Sequence, residues 1–389
     1  MSVVQPTRRD LNPRLEVLVA EAKQNSPFSG KLYSEMVTDG QIALTELPLV
    51  DHSKYSASYH DSERSVMTSC QIDGILMKTG GPTADGLLHT GLRAGDRVAN
   101  LFFAGDLYGS FLLRIVSIIS LPIPAIQIPI GGLMAPDMTA HLLRTCRATA
   151  VLLTITSLVR LAAYCRPRQE RFLAVIAVMF GGEPIFDDQV AAVAYLFPNA
   201  TIRSCIYGSN DAGVIAVSAG SPDPAEHIGL SAAVIVEILV DQDGNLVPTE
   251  EITVPGTLVV TNLIRDLSPV IRYPTGDKAE RVDKLAGIFR LLGRSNYAVR
   301  VGPVSLDISH LRQLARSILK TVAIEAFQVV ITREEARDAI GIAINTSEAP
   351  LAGARDALVE LLSQQRPMFK QHVELGLPLP RLFSDPFAI

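Results

Sequence analysis

Four short segments carry the residues that could do chemistry in this 389-residue chain. The first, Gly181-Gly182-Glu183-Pro184, follows the apolar run LAVIAVMF, and open α/β sheets bind ligands at the C-terminal ends of their strands. Two glycines there allow a flat ring to approach the backbone. The second, Tyr207-Gly208-Ser209-Asn210-Asp211-Ala212-Gly213, follows the buried-strand pattern TIRSCI. It offers a ring that can stack on a base, a side-chain amide for a phosphate and a carboxylate for Mg²⁺. The third, Ile271-Arg272-Tyr273-Pro274-Thr275-Gly276-Asp277, places a carboxylate at a tight turn, where it can accept both hydroxyls of a ribose. The fourth, Gly293-Arg294-Ser295-Asn296, stands where the sequence pattern changes and a hinge is expected. Taken singly, each also reads as an ordinary Gly-Gly, Asx-rich or linker turn.

Positioning these segments falls to an alternation of elements. RVANLFF, PAIQIPI, AVLLTI, LAVIAVMF and TIRSCIYG read as strands, and APDMTAHLLRTC and PIFDDQVAAVAYLF as helices between them. That alternation predicts α/β layers with parallel pairing. DQDGNLVPTEE, TVPGTLVVTNL, SPVIRYPTGD and GIFRLLGR carry turn signals and little helix, and predict antiparallel hairpins. After Arg294 the pattern is compact α+β: strand YAVRVGPVSL, helix ISHLRQLARSIL, strands FQVVITRE and AIGIAINTS, helix PLAGARDALVELLSQ and a last strand HVELG. The expected fold is therefore α/β. Residues 1–292 form a large N-terminal domain of layered α/β sheets with a small distorted β-barrel-like subdomain, and 293–389 a small ferredoxin-like α+β cap.

Bulk properties remove several function classes. A hydrophobic content of 48% with 19% charge describes a packed chain. The net charge of −5, with no Lys/Arg run, argues against nucleic acid as a partner. The apolar stretch 110–134 contains Arg114, Pro122, Pro124 and Pro129, which reads as a buried helix followed by a buried strand and not a membrane span. MSVVQPTRRDLNPR lacks the apolar centre of a secretion signal, so a cytoplasmic location is expected. Cys70, Cys146, Cys165 and Cys205 lack CxxC or His-rich spacing, as reduced structural thiols do.

In order and spacing, GGEP, YGSNDAG, RYPTGD and GRSN together resemble the adenylate-forming superfamily of acyl-CoA synthetases, luciferases and adenylation domains, most closely the phenylacetate-CoA ligase type. That group reads roughly G-[GA]-E-P, Y-G-x-[ST]-E-x-G, R-Y-R-T-G-D and G-R-x-D. AEAKQNSPFSGKLYSEM and LPLVDHSKY resemble its N-terminal segments, so the likeness runs along nearly the whole chain. The resemblance implies that Gly181, Gly182, Glu183 and Pro184 lie beside the adenine of ATP or AMP, with Tyr207 and Gly208 near it. It implies Asp277 on the ribose, Arg294 at the hinge, Asn210 and Asp211 in catalysis and Asp211 as the Mg²⁺ ligand. Tyr108, Phe180 and Ser209, with Phe102 and Phe103, are candidates for an acyl pocket. Coenzyme A or an acyl-CoA is the implied second cofactor; the implied partners are a small carboxylic acid or its thioester and an acyl carrier protein, and a homodimer is compatible with the family.

Two departures bear on the chemistry. Where the family's phosphate loop reads approximately T-S-[SG]-G-T-T-G-x-P, this chain has Thr68-Ser69-Cys70-Gln71-Ile72-Asp73-Gly74-Ile75-Leu76. Asp73 brings a negative charge toward a polyphosphate, and two unit charges ~4 Å apart repel by roughly 4 kcal/mol at an effective dielectric of 20. The following KTGGPT could substitute, having a lysine and glycines. At the other end, no lysine follows the L-P-R match at Leu379-Pro380-Arg381, where the family places its adenylating lysine. Asp211 replaces the usual glutamate, Asn210 the hydroxyl residue, Pro274 the second arginine and Asn296 the hinge aspartate. The expected function is an acyl-activating-enzyme homologue for a small aromatic acid in secondary-metabolite biosynthesis, with weakened ATP-dependent ligase chemistry. The alternatives are ATP-independent acyl transfer between CoA and a carrier-protein thiol, and a non-catalytic ligand- or partner-binding role.

Overall fold

The computed structural model describes residues 8–36, 42–59, 65–69, 87, 90–104, 109–182, 185, 187–209, 211–230, 233–294, 298–301, 304–319, 324–334, 337–346, 353–365, 367–374 and 381–383. The chain separates into two compact units: residues 1–96, 107–127 and 203–293, and residues 97–106, 128–202 and 294–389.

The first unit opens with helices α1 (Arg8–Asn25), α2 (Pro27–Leu32) and α3 (His52–Tyr59). Ser26 caps α2 by accepting from Ser29 N, and Pro27 takes the first helical position, where a missing N–H costs nothing. The unit's main feature is an antiparallel sheet of eight strands: β6 (Tyr207–Ser209), β7 (Gly213–Ser218), β8 (Glu226–Gly229), β9 (Val234–Gln242), β10 (Asn245–Pro248), β11 (Gly256–Asn262), β12 (Val270–Asp283) and β13 (Ile288–Arg294). They lie in the order β10-β9-β11-β12-β13-β8-β7-β6. Register shifts between Thr257 and Val259, and between Val260 and Asn262, distort the pairing of β11 with β12. One apolar cluster joins Tyr55, Ile215, Ile238, Leu258, Val260, Tyr273 and Phe289; another packs α1 against Leu263 and Ile271. Helix α4 (Ser110–Ile119) also belongs here. It buries Leu113 and Ile118 and exposes Leu112, Val116 and Ile119, so it is amphipathic and not the wholly buried helix its composition predicts.

The second unit is organised by a five-stranded sheet in the order β2-β1-β3-β4-β5, from β1 (Arg97–Leu101), β2 (Ile126–Pro129), β3 (Ala150–Leu153), β4 (Ala177–Phe180) and β5 (Thr201–Ser204). β1 with β3 and β3 with β4 pair in parallel. Their continuous burial follows from runs such as AVLL and AVMF, which leave no polar face. β2 is an edge strand with two of its four residues exposed, a correction to the buried strand expected there; Pro129, lacking an N–H, suits an edge. Helices α5 (Pro136–Thr145), α6 (Ile155–Cys165) and α7 (Asp187–Leu196) contribute Leu143, Leu158 and Val193 to the core.

From residue 298 the chain forms a hairpin of β14 (Ala298–Val301) and β15 (Val304–Asp307), helix α8 (Ile308–Leu319), a long hairpin of β16 (Ile324–Glu334) and β17 (Arg337–Thr346), then α9 (Ala354–Gln365), α10 (Pro367–Glu374) and β18 (Arg381–Phe383). The expected last strand HVELG is overturned: His372, Val373 and Glu374 finish helix α10. PMFKQHVE starts on proline and sinks Phe369 completely, a helical pattern that the short segment HVELG by itself does not show. The final strand is β18, parallel to β17. The architecture is thus α/β with parallel and antiparallel sheets and a small α+β C-terminal portion. No helix among the described residues is long and apolar enough to cross a membrane.

Candidate functional site

The strongest gathering of expected residues is on the antiparallel sheet. β6 and β7 meet through a tight turn. A Cβ added at Gly208 would sit 2.5 Å from the Gly213 carbonyl oxygen, so only glycine permits the pairing, and Gly213 itself has φ of +72°. Ser209 Oγ accepts from Ala212 N at 3.0 Å, and the buried Asn262 donates from Nδ2 to Ala212 O at 2.8 Å. These bonds hold Asp211 at the tip, with its side chain 26% exposed.

Strand β12 brings the third motif alongside. The Tyr207 hydroxyl donates to Asp277 Oδ2 at 2.5 Å and lies 3.3 Å from Thr275 Oγ1. Thr275 Oγ1 accepts from Asp277 N at 3.2 Å and donates to Leu258 O at the same distance. A carboxylate has about four acceptor positions, so the bond from Tyr207 orients Asp277 without exhausting it. Two residues before Thr275, the buried Tyr273 donates its hydroxyl to Asp211 Oδ2 in a very short bond.

Arg272, adjacent to Tyr273, has a structural task. Its backbone is left-handed at φ 47°, a conformation that costs an ordinary side chain about 1–3 kcal/mol. The guanidinium pairs with the buried Glu237 at 3.2 Å and donates to Leu47 O at 2.6 Å. Burial of both charges makes the pair mutually dependent.

Helix α3 completes the surroundings. His52 Nε2 lies 3.9 Å from Asp211 Oδ2, and its ring centroid is 5.5 Å from that of Tyr273. Tyr55 packs edge-on to Tyr273 and donates to Pro269 O at 3.2 Å. Thr68, the first residue of the phosphate-loop match, is pinned to the neighbouring loop: its N donates to Leu267 O at 2.9 Å and its hydroxyl to Asp266 O at 2.7 Å.

Behind Tyr207 sits His227, whose ring stacks on Phe289 and lies 5.9 Å from Tyr207. Nδ1 meets Ala225 O at 2.8 Å and Nε2 meets Ser204 Oγ at 3.0 Å. A carbonyl can only accept, so Nδ1 carries the proton and Nε2 accepts from the serine. Burial pushes His227 down to about 4, with the Ala225 carbonyl and Asp223 opposing; the ring is neutral at pH 7.

The remaining expected residues are distributed elsewhere. Phe180, Gly181 and Gly182 are in the second unit, at the C-terminal end of β4. Phe180 is part of the apolar core there, as are Phe102 and Phe103 among the buried residues. Gly181 N donates to Leu153 O at 3.2 Å, and Gly182 has φ of +81°. Arg294 is exposed at the end of β13. Tyr108, Glu183, Pro184, Asn210, Ser295, Asn296 and the 70–86 stretch lie outside the described residues. Lys370 is on α10, within 4.0 Å of Glu374.

The donor set fits one implied cofactor better than the other. A tyrosine ring beside an oriented aspartate suits the base and ribose of an adenine nucleotide. Magnesium does not fit as well. Tyr273 already donates to Asp211 Oδ2, and His52 faces the same oxygen. Among the described residues no group of three or more His, Cys, Asp or Glu side chains could hold a metal ion. Sequence reasoning passed over His52, Tyr273, Thr275 and His227 as functional residues. Tyr273 and Thr275 lie inside the RYPTGD motif and His52 inside LPLVDHSKY, but nothing in linear order joins them to Asp211 or Tyr207.

No protein-family profile matches the chain, and no curated protein matches its sequence. Solved structures do share its fold. A 2-hydroxyisobutyryl-CoA ligase, in complex with 2-HIB-AMP and CoA in the thioesterification state, superposes with a TM-score of 0.68 at 19% identity, over 98% of this chain and 87% of that one. The amide bond synthetase McbA from Marinactinospora thermotolerans gives 0.53 at 18% identity, over 78% and 60% of the two chains. An o-succinylbenzoate CoA synthetase from Bacillus subtilis, bound to a product analogue, gives 0.51 at 15% identity over 70% and 56%. The chain shares the fold of these CoA ligases and the amide bond synthetase.

Proposed function

We propose that this chain is an acyl-activating-enzyme homologue that binds an adenine nucleotide through Tyr207 and Asp277 and acts on a small aromatic carboxylic acid or its thioester. The observation that carries the reading is the hydroxyl-to-carboxylate bond between Tyr207 and Asp277, two motifs 70 residues apart, on a fold shared with CoA ligases. Tyr207 offers its ring to the base; Asp277, turned by the Tyr207 hydroxyl and by its own amide on Thr275, accepts from the ribose.

Adenylation from ATP is weakened. The glycines and hydroxyls that would cradle the β- and γ-phosphates are replaced by Gln71, Ile72 and Asp73, and no lysine follows Arg381. These losses favour a second reading, in which the acyl group passes between CoA and a carrier-protein thiol without ATP. The incoming thiolate would add to the thioester carbonyl and the departing thiolate would take a proton. Cytoplasmic biosynthesis is the setting in either case.

Mass-spectrometric product analysis tests both. The chain is incubated with ATP, CoA and a panel of aromatic acids, and separately with acyl-CoA and a carrier protein. Acid-dependent AMP identifies a ligase. Acyl-carrier formation without ATP identifies the transferase. Absence of both, with AMP still bound, leaves a binding protein and rejects catalysis.

A further inference from the structure

The residue at the family's metal position is held by other side chains of this protein. Asp211 Oδ2 accepts the hydroxyl of Tyr273, a residue 1% exposed that cannot swing away without opening the core around Tyr55 and Phe289. The same oxygen faces His52 Nε2 at 3.9 Å. An aspartate is also one methylene shorter than the glutamate it replaces, withdrawing the carboxylate by about 1.5 Å. Mg²⁺ demands oxygens at about 2.0–2.1 Å in near-octahedral geometry and gives up water reluctantly. The Tyr273 hydroxyl thus takes one of the acceptor positions that a cation at Oδ2 would need, and among the described residues no group of three or more His, Cys, Asp or Glu side chains could hold a metal ion.

We propose that Asp211 is a metal-free anchor in this protein, clamping Tyr273 and facing His52, so that the nucleotide site works without a divalent cation. Asp211 is then a positioning residue. It ties the turn between β6 and β7 to β12, the strand that carries Asp277, and His52 of α3 lies beside it. The geometry accounts for the change from glutamate to aspartate, since the shorter chain ends where the Tyr273 hydroxyl can reach it. The inference takes from the proposed function only that an adenine nucleotide is the ligand, and it narrows that ligand to one bound without a metal-bridged polyphosphate, such as AMP or the adenylyl part of CoA.

Two measurements on the full chain test it. Manganese is titrated by electron paramagnetic resonance in the absence and presence of ATP, for the natural chain and for Asp211→Asn. The expected result is the same free-manganese signal for both proteins, whereas loss of a metal ligand changes metal affinity by roughly tenfold or more. Protein-bound manganese that Asp211→Asn removes would overturn the proposal. The clamp is read independently by a double-mutant cycle of Asp211→Asn and Tyr273→Phe in urea unfolding. A coupling of about tenfold in the unfolding constant is expected for a hydrogen bond to a charged group; additive effects would overturn it. Isothermal titration with AMP and with CoA keeps the two readings apart, since failure of both to bind removes the proposed nucleotide site while leaving the manganese and coupling results to judge the anchor.

Discussion

The two large sheets of this molecule solve burial in opposite ways. In the parallel sheet, β1, β3 and β4 present Val98, Ala99, Val151, Leu152, Val178 and Met179, each fully buried, and the strand backbone supplies most of the polar groups that need partners. The antiparallel sheet buries Arg272, Glu237, His227, Thr261, Asn262 and Thr275, and each depends on a specific bond. Apolar burial tolerates repacking, whereas a buried polar network loses much of its value when one member goes. The candidate site sits on the second kind of scaffold, where hydroxyls and carboxylates are already fixed in place.

That contrast can be broken at its most charged point first. Arg272→Met leaves Glu237 buried and unpaired and removes the anchor to Leu47 O; a loss of about 3–5 kcal/mol in urea unfolding is expected. A double replacement of Arg272 and Glu237 by apolar residues should recover part of it. In the parallel sheet, Leu152→Ala should cost about 3 kcal/mol through the cavity it leaves, with nucleotide binding unchanged in the protein that remains folded.

The third prediction separates the sheets by pH. An unfolded histidine takes up a proton near 6.5, whereas His227 in the fold does so only near 4. Between those values the unfolded chain binds the extra proton, so the contribution is fully present above about pH 6.5 and is lost as pH falls toward 4. At about 1.4 kcal/mol per pH unit the loss approaches roughly 3 kcal/mol, and His227→Phe should flatten that slope in unfolding measured from pH 7 to pH 4. The smallest effect is expected of Tyr207→Phe. It keeps the ring, drops the bond to Asp277 and should weaken AMP by about tenfold or less in calorimetry, the scale of one hydrogen bond to a charged group. Asp277→Asn should weaken AMP more than CoA fragments that lack the ribose.

Much of the architecture is legible in the residues because each element has its own period. The unbroken apolar runs AVLL and AVMF identify the buried parallel strands, and ISHLRQLARSIL marks α8 from end to end. HVELG misleads because five residues are too few to show whether a period is two or 3.6; Phe369, buried further upstream, decides for helix. PAIQIPI shows its apolar content but not its place in the sheet, and edge position is a property of neighbours.

The site divides along the same line. Residue type and order by themselves singled out Tyr207, Asp211 and Asp277 and showed that the phosphate-binding glycines and the lysine after Leu379-Pro380-Arg381 are missing, but they set Asp277 at a tight turn, whereas it lies within strand β12. Only the tertiary structure decided which partners those groups have. Tyr207 finds Asp277, and Asp211 finds Tyr273 and His52, across separations that no local rule spans. Hydrogen-bond partners depend on distances of about 3 Å in space, and strand pairing, not position along the chain, sets those distances.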